Sequence, residues 1–258
     1  MTATPSETAP ATPIEFGRVA RLTFETLRRN LQTYLLLAVI FAVIPTMIGD
    51  WLADLAIKAM PHPGNLEILR ISTLAGGVER IISYPMVGGV IFGVLAQLGG
   101  GRVASFQECL SKGLKVWIVL FSLNIVMNIG ETLGFLLLII PGVFLTVMWA
   151  VAVPSQVGEN PKSALKRSAE LTKGRRWTVT GLVLAYGAGY ILISLLVGVI
   201  GQTAAALSPA LTAMQYLLDG AGEIFTGLIG AAGSACLFHE LRRTREGEVP
   251  TSVANVFS

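Results

Sequence analysis

Six stretches of this chain are apolar for about as long as a helix needs to cross a bilayer, roughly 20 residues each. They run over 31–54, 77–99, 114–133, 136–157, 177–202 and 210–238. Water-free surroundings oblige a backbone to satisfy its own hydrogen bonds, so continuous apolar runs of this length are read as spanning helices. Composition agrees: only 14% of residues are charged, against about one-quarter in a soluble domain. The 28 glycines often fall at small-x-x-x-small spacing, which lets membrane helices approach closely. Gly89 and Gly93 in "GGVIFG" form one such pair, and Gly227, Ala231 and Ala235 form a second seam.

The boundary between the third and fourth runs is the hardest to place, because "NIGETLGFLLLIIPG" offers turns at Gly130, Gly134 and Pro141–Gly142. A turn at Pro141 leaves only about fifteen residues for the return, short of the ~20 a span requires. The turn is therefore placed near Gly130–Gly134, with Pro141 kinking the fourth helix. Orientation follows from the basic residues. Lys58, Arg70 and Arg80 fall on one side and the other sixteen of the 19 lysines and arginines on the opposite side. That bias puts both termini in the cytosol and requires an even number of spans. The net charge of +3 is thus a matter of topology and does not point to nucleic acid. Cys109 and Cys236 both fall on the cytosolic side, where they stay reduced. "MTATPSETAP" has neither a basic start nor an apolar core, so no secretory signal peptide is predicted. Residues 1–11 and 246–258 read as disordered tails of a membrane domain at 12–245.

Between the fourth and fifth runs lies a densely charged segment, "NPKSALKRSAELTKGRRW". Asn160 as N-cap, Pro161 at the first helical position and Gly174 as a left-handed stop predict a short helix. Ala164, Leu165, Ser168 and Leu171 form its apolar face, and Lys162, Lys166, Glu170 and Lys173 its charged one. The same grammar occurs twice more. Thr12 to Glu15 is a capping box before a helix ending at Asn30, and Ser105 to Glu108 is another before a helix ending at Gly113. An aromatic residue follows each stop within four positions: Tyr34, Trp117 and Trp177. The chain thus reads as three tandem helical hairpins, 12–99, 102–157 and 160–240, each preceded by a short basic amphipathic helix. The wider spacing of the first two stops is assigned to an external loop around "MPHPGNLEILRIST".

"IIPGVFL", "GEN" and "SALKRSAELTKGRRW" resemble one bacterial family, through Pro141, Gly142, Glu159, Ala164, Leu165, Ser168, Leu171, Gly174 and Trp177. It is the membrane domain fused to some glycerophosphodiester phosphodiesterases, together with its stand-alone relatives. The resemblance implies a multi-pass protein of the bacterial inner membrane. Phosphodiester chemistry in that family belongs to a separate soluble barrel with metal-binding carboxylates and paired histidines, for which this chain has no room. Its two histidines, His62 and His239, are expected on opposite membrane faces, so the activity is not carried over.

The acidic residues are the most informative polar feature. Asp50, Asp54, Glu79, Glu131, Asp219 and Glu223 all fall toward the external ends of their expected spans. Asp219 and Glu223 are four apart on one helix face, the face that continues as Gly227, Ala231 and Ala235. Ionisable side chains at depth cost about 2.5–3.5 kcal/mol on insertion scales and are functional candidates. One reading is an external acidic vestibule of Asp50, Glu79, Glu131, Asp219 and Glu223 that binds a cation or an amine-bearing head group, with Arg80 holding it together. The other is that these carboxylates are wet at headgroup level or ion-paired with Arg80 and Lys58. Intramembrane acid/base catalysis by Asp219 and Glu223 is the lesser alternative, because a single i, i+4 carboxylate pair has no complementary aspartate motif beside it. Zinc spacing, P-loop, nucleophile elbow and dinucleotide fingerprint are all missing from the sequence, so no metal or cofactor is predicted.

The basic helices, with Arg28, Arg29, Lys112, Lys115, Lys162, Lys166, Arg167, Lys173, Arg175 and Arg176, are expected on the inner leaflet against anionic head groups. They could instead dock a protein partner, or serve topology alone. The predicted function is a non-enzymatic lipid- or small-solute-binding or transport element of envelope homeostasis. The alternative is a membrane scaffold assembling through these helices.

Overall fold

The architecture was obtained as a computed structural model that describes residues 15–62, 64–207 and 212–246. Within these the chain is all-α, and six of its helices are long and apolar enough to cross a membrane. It is a multi-pass helical membrane protein. The expected capping residues Thr12 to Ile14 lie outside the described residues, as do the N-terminal tail and 247–258.

The N-terminal helix α1 (Phe16–Arg29) is strongly amphipathic and buries Val19, Thr23, Thr26 and Leu27. It stops at Asn30, where expected, and the Asn30 side chain donates to Ala104 O at 2.8 Å. The first span is assembled from α2 (Leu31–Ala38), a π-helical turn at Val39–Val43 and α3 (Ile44–Lys58). That turn immediately precedes Pro45, which has no N–H to donate and would press on the carbonyl four residues back. Widening the helix there relieves both.

Helix α4 (Asn65–Gly100) starts twelve residues earlier than the 77 expected. Gly64 N donates to the Glu67 carboxylate at 2.7 Å, a start signal that the two prolines and the glycine just before it conceal. The stretch assigned to an external loop is therefore mostly helix. The second half of α4 is the centre of the core: Val90, Ile91 and Val94 are fully buried, with Tyr34 and Leu37 of α2 against them. Pro85 interrupts this helix without a defect. The carbonyl it leaves unused, Ile81 O, accepts the Trp117 indole N–H at 2.8 Å.

Helix α5 runs unbroken over Phe106–Leu137, capped by the predicted Ser105–Glu108 box. The separate basic helix expected before the third span is thus absent, because Gly113 is not a stop. It is a contact point: a Cβ there would collide with the carbonyl of Pro85. The expected turn at Gly130–Gly134 is likewise displaced. The helix breaks at Leu138, which is extended (φ −167°, ψ 156°), and resumes as α6 (Ile139–Trp149). Gly130 and Gly134 instead let α6 close in: a Cβ on Gly134 would lie 3.0 Å from the Gly142 Cα, and one on Gly130 would strike the Trp149 ring. The break is flanked by exposed apolar residues from Phe135 to Ile140.

After a further break at Ala150–Val151 comes α7 (Ala152–Glu159). Asn160 does not cap the charged helix. It ends α7 in a left-handed conformation (φ 47°), held by Gln156 Nε2 donating to its Oδ1 at 2.6 Å. Pro161 disfavours helical geometry in the residue before it, so the start moves to Ser163. The Ser163 hydroxyl accepts from Lys166 N, and α8 covers Ala164–Thr172. Gly174 is left-handed (φ 83°), the stop expected. The last two long helices are α9 (Arg176–Leu207) and α10 (Thr212–Glu246). Consecutive long helices pack side by side, and α10 also lies against α1, α3 and α4.

Candidate functional site

The packing seams are where the sequence put them. Gly89 meets the backbone of Cys109 and the Leu37 side chain, and Gly93 meets the Tyr34 hydroxyl and the Cys109 sulfur. Tyr34 is completely buried, and its hydroxyl accepts from Gln97 Nε2 at 2.8 Å. Gly227 faces Met86, while Ala231 and Ala235 are buried. Cys109 and Cys236 are both free and buried.

Of the acidic residues, Asp50 and Asp54 of α3 both lie near Tyr216 of α10. Glu79 lies fourteen residues past the start of α4, ~21 Å along it, and Asp50 eight residues before the end of α3, ~12 Å. Both lie inside helices that run on past them, and α4, at ~54 Å, is longer than a hydrocarbon core of about 30 Å. Glu79 packs against Gly49, where any Cβ would collide with its carboxylate, and it lines an apolar groove of about 480 Å³ between α3 and α4. The groove's other walls include Ile48, Leu52, Leu74 and Val78. Asp54 is engaged elsewhere, with Lys58 Nζ at 2.5 Å and with Tyr216 of α10. Arg80 is exposed, Asp219 and Glu131 are half-buried on α10 and α5, and the Glu223 side chain lies outside the described residues.

The basic residues divide into two groups. Arg28, Arg29, Lys115, Lys162, Lys166 and Lys173 are exposed, and Lys112 is half-buried within α5. Arg167 is turned inward. Its Nε and Nη2 grip the two Glu159 oxygens at 2.6 and 2.8 Å, and Nη2 also meets Glu246 at 2.6 Å. Arg242 pairs with the same two carboxylates, at 3.1 and 3.2 Å. The Glu159 bond, joined by the one from Glu246, keeps the Arg167 guanidinium protonated beyond its ordinary range despite burial. This four-membered network ties α7, α8 and the end of α10 together. Beside it, the buried Glu240 carboxylate holds Arg18 of α1 at 3.5 Å and Arg243 at 3.2 Å.

The apolar face of α8 seals the break between α6 and α7. Ser168 Oγ donates to Met148 O at 2.8 Å and accepts from Val151 N at 3.3 Å. Two backbone groups freed where the helix breaks are thereby satisfied inside the protein. Arg175 donates to the Thr244 side chain; burial, then the charge of Arg245, lowers its hold on the proton. Arg176 stacks over the Phe144 ring, 4.5 Å from its centre. Trp177 is 90% exposed, on the outside of the bundle.

Sequence reasoning missed an apolar cavity of about 530 Å³, lined by α1, α6, α9 and α10 and open on one side. Phe16, Phe24, Thr146, Leu182, Tyr186 and Gly233 are among its walls. A partial signal was present in the pattern of α1, whose apolar residues spread beyond the face that packs on α10. No known protein family, curated protein or solved structure matches this chain.

Proposed function

We propose that this protein is a lipid- or small-solute-binding element of the bacterial inner membrane, acting in transport or envelope homeostasis without enzymatic chemistry of its own. In this reading the six spans are three tandem hairpins with both ends in the cytosol. One observation carries the reading: the bundle is not packed solid, but opens into two apolar cavities of about 530 and 480 Å³. Both fall in the about 300–1,000 Å³ range of ligand sites. The second has the Glu79 carboxylate in its wall, which supports an amphiphile with a cationic or amine-bearing head as its ligand. Mass spectrometry of lipids and small molecules that accompany the protein in native nanodiscs tests this. A defined species above the bulk membrane composition is expected; bulk composition alone contradicts it.

The scaffold reading draws on the exposed Lys162, Lys166 and Lys173 of the α8 segment, which leave a basic surface open to a partner. Reversing these three charges and repeating a pull-down separates the two readings. Arg167 has no place in that experiment, since its reversal would break the internal ionic network.

A further inference from the structure

The cavity under α1 carries a charge feature that its apolar walls do not explain. Arg176 lies six residues before the wall residue Leu182 on α9, and the Phe144 ring it covers is two residues before the wall residue Thr146 on α6. The guanidinium therefore stands between α6 and α9 within about two helical turns of the cavity, without itself lining it. It is half-buried, and its Nε is buried and donates to no acceptor among the described residues. The partly buried arginines of this end, Arg167, Arg242 and Arg243, each have a carboxylate, and so does the exposed Arg18. Arg176 has none within ion-pair distance among the described residues, and its neighbours Lys173, Arg175 and Arg245 add positive charge. A cation drawn out of water without a counter-charge is unfavourable, so this position is complementary to an anion.

An apolar cavity with an unmatched cation close by fits a molecule that has a hydrocarbon chain and a negative head. We propose that the cavity between α1, α6, α9 and α10 holds one acyl chain of an anionic phospholipid, whose phosphate is met by Arg176. Helix α1 roofs the chain with Phe16, Ala20 and Phe24. Gly233 and Ala185 keep the opposite walls low: a Cβ at Gly233 would find only Thr23 Oγ1, at 3.8 Å. The exposed Arg28, on the flank of α1 beside Phe24, adds favourable potential for the same head group, while Arg21 is paired with Glu25 at 3.7 Å.

This assignment rests on the lipid-binding reading, and one experiment tells their failures apart. The full chain in mild detergent is equilibrated with equal amounts of phosphatidylglycerol and phosphatidylethanolamine and examined by native mass spectrometry. The wild type retains one phosphatidylglycerol. Gly233→Phe and Ala185→Trp, which fill the cavity from different helices, each reduce that retention about tenfold. Arg176→Gln keeps a bound lipid but loses the preference for phosphatidylglycerol about fivefold. Inorganic phosphate at millimolar concentration displaces nothing, because it has no chain. Wild-type retention in both cavity variants, each eluting as a single species, overturns this site and leaves the broader reading standing. An unchanged preference in Arg176→Gln, or displacement by phosphate, overturns the proposed pairing of head and chain. A wild type that keeps neither lipid overturns this site, and the broader reading then falls only if the native-nanodisc preparation also shows bulk composition alone.

Discussion

At the scale of single residues, glycines decide how closely the helices approach, and they do so unequally. A methyl group at Gly113 would meet the Pro85 carbonyl, whereas one at Gly76 would meet nothing within 4 Å. The two sites share a residue type and a helical setting, so one substitution should have opposite effects. Gly113→Ala is expected to destabilise the protein by about 1–3 kcal/mol through overpacking. Gly76→Ala should stabilise it by about 0.5–1 kcal/mol, the helical preference of alanine over glycine. Thermal unfolding in one detergent checks both; equal shifts would contradict the contact. Trp117→Phe keeps the ring but removes the indole N–H from Ile81 O. With Pro85 unable to replace it, the loss should be about 1–3 kcal/mol. A Trp117→Phe protein as stable as the wild type would show that this carbonyl finds another donor.

At the scale of elements, the charged α8 is held by its polar residues as much as by its apolar face. Ser168 closes the α6–α7 break, and Arg167 ties the helix to Glu159 and Glu246. Glu159→Gln takes away the carboxylate that Arg167 and Arg242 share, leaving two partly buried guanidiniums with Glu246 alone. A loss of about 1.5–3 kcal/mol is expected, with α8 released first. Hydrogen exchange should show faster exchange across Ala164–Thr172 while α4 stays protected. Uniform loosening of both would mean that α8 is not separately held. The exposed lysines of the same segment should change stability little when replaced, since exposed charges contribute about 0–1 kcal/mol.

At the scale of the whole molecule, the spans were legible because hydrocarbon allows so few arrangements, and apolar length alone marks them. The ends were less so. Gly113, Gly130 and Gly134 looked like stops, yet each is a point of contact between helices, and sequence does not distinguish a glycine that ends a helix from one that lets another pass. The start of α4 was hidden because Glu67 caps a glycine and "NLEILRIST" is neither clearly apolar nor clearly loop. The same misreading hid the first twelve residues of the helix that carries Glu79. The cavity under α1 left only a partial signal, in the apolar spread of α1, because it forms between four elements far apart in the chain and its other walls are ordinary apolar and small residues.

All of this depends on helices that cross the membrane six times and return the chain to the face it left. Single cysteines at Ser6, Gly64 and Ser252, probed in intact cells with a membrane-impermeant maleimide, test that directly; Cys109 and Cys236 are buried and give little background. The account predicts labelling at Gly64→Cys alone, with Ser6→Cys and Ser252→Cys reacting only after the cells are opened. Labelling of either tail in intact cells would contradict it.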